Sequence, residues 1–572
     1  MKAHLWVTGA ILVLTPLAAA QQPKKKPDFP PYSKIGEGMT VQKGLWHIHQ
    51  NKDKTRTWIE IPAAHLNKPV MIATSISGGT RRAGWQWQDW LVVWQKKGTK
   101  LVLLERNHGY KAGSGETLQE VVRRTYTDRV LATFPILTKG PNGGWVLDAG
   151  RVFASSASIF FGGLGAMWRD PNTRSRDASL ASFAGSKTFP NNTEISVEMP
   201  GSRNGRLITL HYSISLLPKT SYKPRPADDR VGYFMTVIKD FSEKQKDDRR
   251  NLRYINRWHL AKRDPKLGLS PPKDPIIFYI EKSVPVRMRR YVKEGILEWN
   301  EAFEKIGFID AIVVRQQTKD NEFAALDPED IRYNFFRWIT SEGAFAMGPS
   351  RVNPLTGQIL DADIIFDDDF LRYTLLDYRL RIREVPKTAL GPRGRKMLAV
   401  HPFARLGLVP EPDELLDGHP ADAPRPPARP SARRAYCSIG QGMRHQLALA
   451  GLWLAGTPAG GGTKPPQSKQ YPEEFIGQII KDTVMHEVGH TLGLRHNFKA
   501  SIWRSLDDIH SEARPADITG SVMEYNPIPI ATGGKPQGNW AMRTLGPSDH
   551  WAITYGYTPN DKELPKILSR VA

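Results

Sequence analysis

The sequence is organised around the stretch His486-Glu487-Val488-Gly489-His490-Thr491-Leu492-Gly493-Leu494-Arg495-His496. On a helix, side chains four residues apart lie on the same face, so His486 and His490 can bind one metal ion together. Gly493 can adopt the left-handed conformation that ends a helix, and this turn would return His496 as a third ligand. Three protein ligands leave one position of a tetrahedral zinc ion open, which is typical of catalytic zinc. The stretch therefore predicts a single catalytic Zn²⁺ ion.

Glu487 directly follows the first histidine and is expected to project beside the metal position. Zinc acidifies a bound water and polarises a carbonyl group. Glu487 is then expected to accept the proton of the attacking water and to pass it to the leaving amine. The alternative is a structural zinc or a set of core histidines, although structural zinc sites more often use cysteines and four protein ligands.

A second element follows at residues 520–527, Gly-Ser-Val-Met-Glu-Tyr-Asn-Pro. The pattern His-Glu-x-x-His-x-x-Gly-x-x-His followed by Ser-x-Met-x-Tyr resembles the metzincin clan of zinc endopeptidases. This resemblance implies that Met523 belongs to a Met-turn, an apolar floor under the three histidines. It also implies that Tyr525 lies near the zinc as a swinging ligand or as an oxyanion donor. Without the resemblance, both residues would be read as ordinary core residues.

The whole chain is similar to a narrower group, the large secreted bacterial zinc-dependent metalloproteases whose N-terminal half is a domain of unknown function. The similarity rests on short segments at residues 43–45, 59–62, 229–234, 545–553 and 555–557. Members of this group commonly continue past the position of Ala572, so the resemblance predicts a chain truncated at its C-terminus. In metzincins a strand before the active-site helix pairs with the substrate, and residues 343–347 or 359–366 are the candidates here.

The composition is that of a folded protein with several cores. The chain has 572 residues, 40% hydrophobic residues and 16 tryptophans, which indicates two to four domains and excludes a disordered chain. Its net charge of +22 favours anionic partners such as an envelope surface. We find no nucleic-acid-binding motif, and we expect no nucleic acid partner.

The N-terminus indicates export. Lys2, an apolar run over residues 5–17 and the small residues 18–20 form the pattern of a cleaved signal peptide. No later stretch is long and apolar enough to span a membrane. Cys437 is the only cysteine, so no internal disulfide can form. We therefore expect an exported bacterial protein, periplasmic or extracellular, in which Cys437 is an ordinary buried residue rather than an inhibitory zinc ligand.

These observations predict an α+β multidomain protein: a β-rich N-terminal half, then a metzincin-like α/β catalytic domain with a mixed sheet and an active-site helix. The expected order is a signal peptide (1–20), a Pro/Lys-rich lead-in (21–40), a β-rich region of unknown role (41–240), a charged connection (241–274) and a zinc metalloprotease domain (275–572). A Pro/Arg-rich insertion is expected near residues 408–434.

Three local predictions can be checked against a structure. Residues 156–161 are expected to form a strand, as is usual for a short apolar run between turn signals. The apolar residues at helical spacing after Pro285 predict one buried helix face; they are Met288, Val292, Ile296, Trp299 and Phe303. The acidic residues at 361, 363 and 367–369 are expected to be a solvated strand end with a helix cap, with a calcium site as the alternative.

The leading prediction is a secreted zinc metallopeptidase that acts on protein or peptide substrates, with Glu487 and Tyr525 in catalytic roles. One alternative is a zinc amidase that acts on envelope peptides. Another is an exported binding protein whose metal site is inactive or structural. Among the remaining histidines, His47, His49 and His108 are expected to be strand or turn residues and not ligands.

Overall fold

The computed structural model describes residues 28–79, 83–113, 115, 117–161, 181–200, 207–242, 251–340, 346–370, 473–531 and 535–571. The predicted signal peptide, the predicted insertion at residues 408–434 and Cys437 lie outside the described residues. Among the described helices, none has both the length and the apolar character that crossing a membrane requires.

The first half is β-rich, as predicted. Two antiparallel sheets carry most of it. The larger has the strand order Ser182–Thr188, Asn192–Pro200, Leu207–Leu216, Pro69–Gly78, Gln86–Lys97, Lys100–Glu105, Arg129–Pro135. The smaller has the order Thr40–Gln42, His47–Gln50, Thr57–Ile61, Trp145–Asp148, Thr138–Lys139. Both sheets contribute to one hydrophobic core around Trp46 and Trp94, whose rings meet edge to face at 6.1 Å.

The predicted strand at residues 156–161 is wrong. The chain forms a π-helix at Gly150–Ala154 and a short α-helix at Ala157–Phe160 instead. Phe160 is fully buried and its carbonyl oxygen accepts a 3.1 Å hydrogen bond from Trp90 Nε1. A short apolar run does not distinguish a buried strand from a buried helix turn, and here packing under the sheet decided the outcome.

A third, smaller sheet carries the chain toward the second half. It joins Asn251–Ile255, Met235–Asp240 and Tyr110–Lys111 in that order. Residues 251–274 were expected to be part of a charged connection. Ile255 is nevertheless fully buried, in the same hydrophobic cluster as the helix that carries His486.

The second half contains a mixed sheet, as predicted. Its strand order is Ile312–Gln316, Ile276–Ile280, Asn334–Ile339, Ile364–Asp367, Ala346–Met347. The first four strands are parallel and Ala346–Met347 is antiparallel at one edge. The helices Arg289–Leu297 and Asn300–Glu304 connect the first two parallel strands along the chain.

The predicted helix face after Pro285 is confirmed, because all five of its apolar residues are buried. This face packs against the long helix Glu473–Thr491, which carries the metal motif. Trp299 Nε1 donates a 3.0 Å hydrogen bond to the carbonyl oxygen of Met485 in that helix. A Cβ at Gly295 would lie 2.8 Å from Val484, so the two helices approach closely at this glycine.

A β-hairpin follows the edge strand Ala346–Met347 along the chain. Ser350–Val352 pairs with Ile359–Ala362 in antiparallel fashion, and the intervening turn closes with Gly357 at φ +80°. The described residues form five further α-helices: Tyr32–Ile35, Thr117–Thr125, Leu506–Ile509, Pro547–Tyr557 and Leu564–Leu568. They also form short 3-10 helices at Ala63–His65, Val286–Met288, Ala500–Ile502, Asp561–Glu563 and Ser569–Val571.

The acidic residues in and after this hairpin are not all solvated, and the prediction of a solvated strand end is wrong for the two most buried of them, Asp361 and Asp367. Asp361 is 8% exposed and Asp367 is fully buried. Burial and the nearby Asp361 raise the pKa of Asp363 to about 8, while one of its carboxylate oxygens accepts a 2.6 Å hydrogen bond from the Phe335 N–H. Burial likewise raises the pKa of Asp361 to about 6.

Candidate zinc centre

The fold brings together the three histidines of the motif. Their candidate ligand atoms all lie within 4.8 Å of one another, and His490 Nε2 is 3.1 Å from His496 Nε2. Within the described part of the chain, this is the only group of three or more His, Cys, Asp or Glu side chains close enough to share an ion. The acidic residues near Asp361 therefore do not form such a group.

Two carbonyl oxygens orient the first two histidines. His486 Nδ1 donates to the carbonyl oxygen of Val522 at 2.7 Å, and His490 Nδ1 donates to that of Leu494 at 2.8 Å. Because a carbonyl only accepts, the proton of each ring lies on Nδ1. The Nε2 atoms are then left as lone-pair donors, which is the arrangement that metal-binding histidines normally show.

The protonation states also suit a metal. Burial, reinforced by the neighbouring His496, lowers the pKa of His490 to about 3. Burial lowers the pKa of His496 to about 4, and it holds the pKa of His486 well below its usual range. All three imidazoles are therefore neutral near pH 7, as ligands must be. The donor set, its geometry and its charge state fit a zinc ion.

Gly493 makes the third histidine reachable. Its φ is +97°, in the left-handed region. The N–H of Gly493 donates to His490 O at 3.0 Å and the N–H of Leu494 donates to Gly489 O at 2.9 Å. These two bonds form the Schellman motif that ends a helix at a left-handed residue. The predicted turn is present, and it returns His496 to within 4.8 Å of the ligand atoms of the other two histidines.

Met523 lies beneath the helix that carries the first two histidines. It is 1% exposed, and a Cβ at Gly489 would lie 2.2 Å from its sulfur. The glycine inside the metal motif thus provides the space that Met523 fills. This is the contact expected of a Met-turn floor.

Asp549 anchors the turn that carries Met523. Its carboxylate accepts hydrogen bonds from Ser521 Oγ at 2.5 Å, from the Val522 N–H at 2.8 Å and from the Gly546 N–H at 2.9 Å. Burial raises the pKa of Asp549 to about 6 although these bonds oppose the change. Asp549 had no predicted role, and its only signal in the sequence was its place in the segment 545–553.

Tyr525 lies beside the histidines, where the resemblance had placed it. Its ring centroid is 4.4 Å from that of His496 and 5.7 Å from that of His486. Phe498 packs against both Tyr525 and His496, at 5.3 Å from each ring, and is nevertheless 59% exposed. An exposed aromatic surface therefore adjoins the candidate metal position.

Glu487 is fully buried on the same helix, next to His486. The chain that passes its backbone is the segment after the edge strand Ala346–Met347, because a Cβ at Gly348 would lie 2.2 Å from the Glu487 carbonyl oxygen. The described part of the predicted substrate-pairing segment thus runs close to the helix. Residues 343–345 of that segment lie outside the described residues.

The first half of the chain also reaches this site, which the sequence analysis missed. The N–H of Phe234 donates to Gly493 O at 2.8 Å, and the N–H of Arg495 donates to Gly232 O at 2.8 Å. The Phe234 ring lies 5.8 Å from the His490 ring. No local pattern could have indicated these contacts, because residues 232–234 and 493–495 lie far apart along the chain.

Comparison with protein families agrees with this geometry. Residues 468–570 match the Met-zincin family model, DUF4953. The C-terminal part of the chain is therefore a metzincin-like domain. Residues 84–263 match a second model, described as a domain of unknown function, DUF5117. No curated protein and no solved structure matches the chain.

Proposed function

We propose that this protein is a zinc-dependent endopeptidase with His486, His490 and His496 as the metal ligands. One observation carries the proposal: the candidate ligand atoms of three neutral imidazoles lie within 4.8 Å of one another, above a buried methionine, inside a region that matches the Met-zincin family. A structural zinc would be expected to have a fourth protein ligand. Within the described residues, no fourth His, Cys, Asp or Glu joins this group.

A zinc ion held by His486, His490 and His496 would supply a Lewis acid and an acidified water. Glu487 accepts the proton of the attacking water and delivers it to the leaving amine. Its full burial favours this role, because electrostatic interactions are stronger in a water-excluded site of low dielectric constant. The phenol of Tyr525 donates a hydrogen bond to the developing oxyanion.

A peptide substrate is supported by the edge of the mixed sheet. Ala346–Met347 is the last strand in the described order and the chain after it passes the backbone of Glu487. An extended peptide can add to such an edge through main-chain hydrogen bonds. The substrate would then lie across the helix that carries the ligands.

The proposal includes the cellular location of the protein, which we expect to be outside the cytoplasm. A signal peptide at residues 1–20 and a net charge of +22 support export to an envelope or extracellular space with anionic surfaces. The proposed domain limits are those expected from the sequence, with the catalytic lobe following the β-rich region.

The decisive experiment combines zinc analysis with proteolysis. The purified protein is expected to contain one zinc per chain and to cleave casein. Glu487→Gln should keep the zinc and lose about 10²- to 10⁴-fold in kcat/KM. Glu512→Gln, an exposed carboxylate on the same lobe, is the matched control and should behave as the wild type.

Three results would count against this function. Bound zinc without cleavage of casein or of envelope peptides would favour a binding protein. Cleavage restricted to envelope peptides would favour the amidase. Unchanged activity in Glu487→Gln would remove Glu487 from the reaction.

A further inference from the structure

The C-terminal end of the helix Glu473–Thr491 is capped partly by residues from outside the C-terminal lobe, which begins at residue 275. The last carbonyl groups of any helix lack partners within the helix. Here Thr491 O accepts from Trp258 Nε1 at 2.8 Å, and Gly493 O accepts from the Phe234 N–H at 2.8 Å. Leu492 O accepts from Tyr557 Oη at 2.8 Å. Two of these three donors come from residues that precede the mixed sheet.

The same segment holds the turn between the second and third histidines. Tyr233 and Leu494 face each other in an antiparallel bridge, and the Arg495 N–H closes it on Gly232 O. The carbonyl of Leu494 is also the acceptor of His490 Nδ1. A shift of this bridge would therefore move the group that orients one ligand and the backbone that leads to the next.

The contact is buried and closely packed. Tyr233 is 1% exposed, and its hydroxyl donates to Ala552 O at 2.9 Å. The Asn256 N–H donates to Phe234 O at 2.8 Å, and the Asn256 carbonyl lies where a Cβ of Gly493 would be. Residues 231–234 and 255–258 are thus joined to each other and to the turn after the helix.

We propose that these two short segments, 231–234 and 255–258, are an integral part of the zinc centre and that Trp258 is a positioning residue for the ligands. The first half would then complete the metal site, and it could not be removed as an inhibitory prosegment without loss of zinc affinity. The inference deepens the proposed function and rests on its zinc site. It does not depend on which bond the protein cleaves.

A pair of tryptophan variants tests the proposal on the full chain. Trp258→Phe removes the donor to Thr491 O. Trp90→Phe is the matched control, because Trp90 Nε1 donates to Phe160 O at 3.1 Å in the β-rich half. Zinc dissociation constants are measured by chelator competition, together with the melting temperature of each metal-free variant. Loss of a residue that orients the metal ligands typically lowers metal affinity by about 10- to 100-fold.

The expected result is zinc binding weakened about tenfold or more in Trp258→Phe and unchanged in Trp90→Phe. The ligand-field absorption of bound Co²⁺ should also change only in Trp258→Phe, because its ligands are less well oriented. Wild-type zinc affinity and Co²⁺ spectrum in Trp258→Phe would overturn the proposal, even if its melting temperature falls.

A second measurement needs no variant. Coupling between two sites is reciprocal, so ligands positioned by residues 231–234 must in turn stabilise those residues when zinc binds. Hydrogen–deuterium exchange of the wild type should slow in peptides covering 231–234 and 493–495 on adding zinc. Peptides covering the strand Leu207–Leu216 should not change. An exchange rate at residues 231–234 that is the same with and without zinc would contradict the inference.

The two proposals fail in different ways. A chain that binds zinc with this dependence on Trp258 but cleaves no peptide would remove the endopeptidase and leave the inference standing. A protease sensitive to Glu487→Gln whose zinc affinity does not depend on Trp258 would do the reverse.

Discussion

Gly493 faces the carbonyl oxygen of Asn256 so closely that a Cβ on Gly493 would lie 1.9 Å from that oxygen. The glycine is therefore required twice, once for its φ of +97° and once for the absence of a side chain. The first requirement can be inferred from the metal motif. The second arises only because residues 255–258 pack on the turn.

Gly493→Ala should weaken zinc binding and lower the melting temperature, because the Asn256 carbonyl or the turn must move away. Gly143→Ala is the control: Gly143 has a φ of +80°, and no atom lies within 4 Å of its Cβ position. Gly143→Ala should lose only about 1–2 kcal/mol of folding free energy, the cost expected of a left-handed alanine. Equal losses of stability and equal zinc affinity in the two variants would show that the close contact is unimportant.

Asp549→Asn should loosen the turn that holds Met523. An amide cannot accept from all three donors as the carboxylate does, and a buried donor left without a partner costs about 1–3 kcal/mol. Urea denaturation should show this loss. The comparison is Asp264→Asn, at an exposed carboxylate that accepts from the Lys266 N–H, and little change is expected there. A stable Asp549→Asn variant would mean that the turn is held by packing alone.

Removal of zinc should lower stability without unfolding the chain. The helix of the motif is packed in a hydrophobic core that does not depend on the metal, since Val484, Val488 and Leu492 are all fully buried. A ligand at 100 times its dissociation constant adds about 2.7 kcal/mol to the free energy of unfolding. Chelation should therefore lower the melting temperature, preserve the far-ultraviolet circular dichroism and be reversed by zinc. Complete unfolding on chelation would indicate a structural metal.

Glu60 predicts a loss of stability in acid. Burial alone would raise its pKa, but hydrogen bonds from His49, Asn142 and the Gly144 N–H outweigh burial and lower the pKa to about 2. A carboxylate with a depressed folded-state pKa stabilises the fold above its unfolded-state pKa, about 4.3. That contribution is lost as the pH falls from there to about 2.

The measurement is thermal denaturation of the wild type and of Glu60→Gln between pH 7 and pH 2. Glu60→Gln should be less stable at pH 7, and the difference between the two proteins should shrink in acid. Distant carboxylates titrate equally in both proteins, so their contributions cancel in the difference in stability between the wild type and Glu60→Gln. A constant difference across this range would contradict the role given to the ionised carboxylate.

Phe498 should affect substrate binding more than turnover. It is 59% exposed and contacts His496 and Tyr525. If its ring binds an apolar side chain of the substrate, Phe498→Ala should raise KM about tenfold for peptides with apolar residues near the cleaved bond, with kcat and zinc content preserved. Val286→Ala, at another exposed apolar residue, serves as the control. A lower kcat at unchanged KM would give Phe498 a different role.

The sequence by itself determined the three candidate metal ligands and the helix that carries two of them, His486 and His490. His486 and His490 meet because of helical periodicity, and His496 returns because a glycine ends the helix. The buried face from Met288 to Phe303 follows from the same periodicity. These signals are local, so they can be recognised in the sequence without knowledge of the fold. The Met-turn could not be predicted from local signals alone. Met523 was assigned to it only because the histidine motif and the later Ser-x-Met-x-Tyr pattern together resemble the metzincin clan.

Only the tertiary structure decided what holds this motif in place. Trp258 and Thr491 are 233 positions apart, yet they share a hydrogen bond that caps the helix Glu473–Thr491. The burial of Asp361 and the helix at Ala157–Phe160 likewise depend on what packs over them. Such long-range contacts cannot be predicted from the periodicity of the sequence. Each partner fits the local pattern of its own segment, and the two segments come together only when the chain folds.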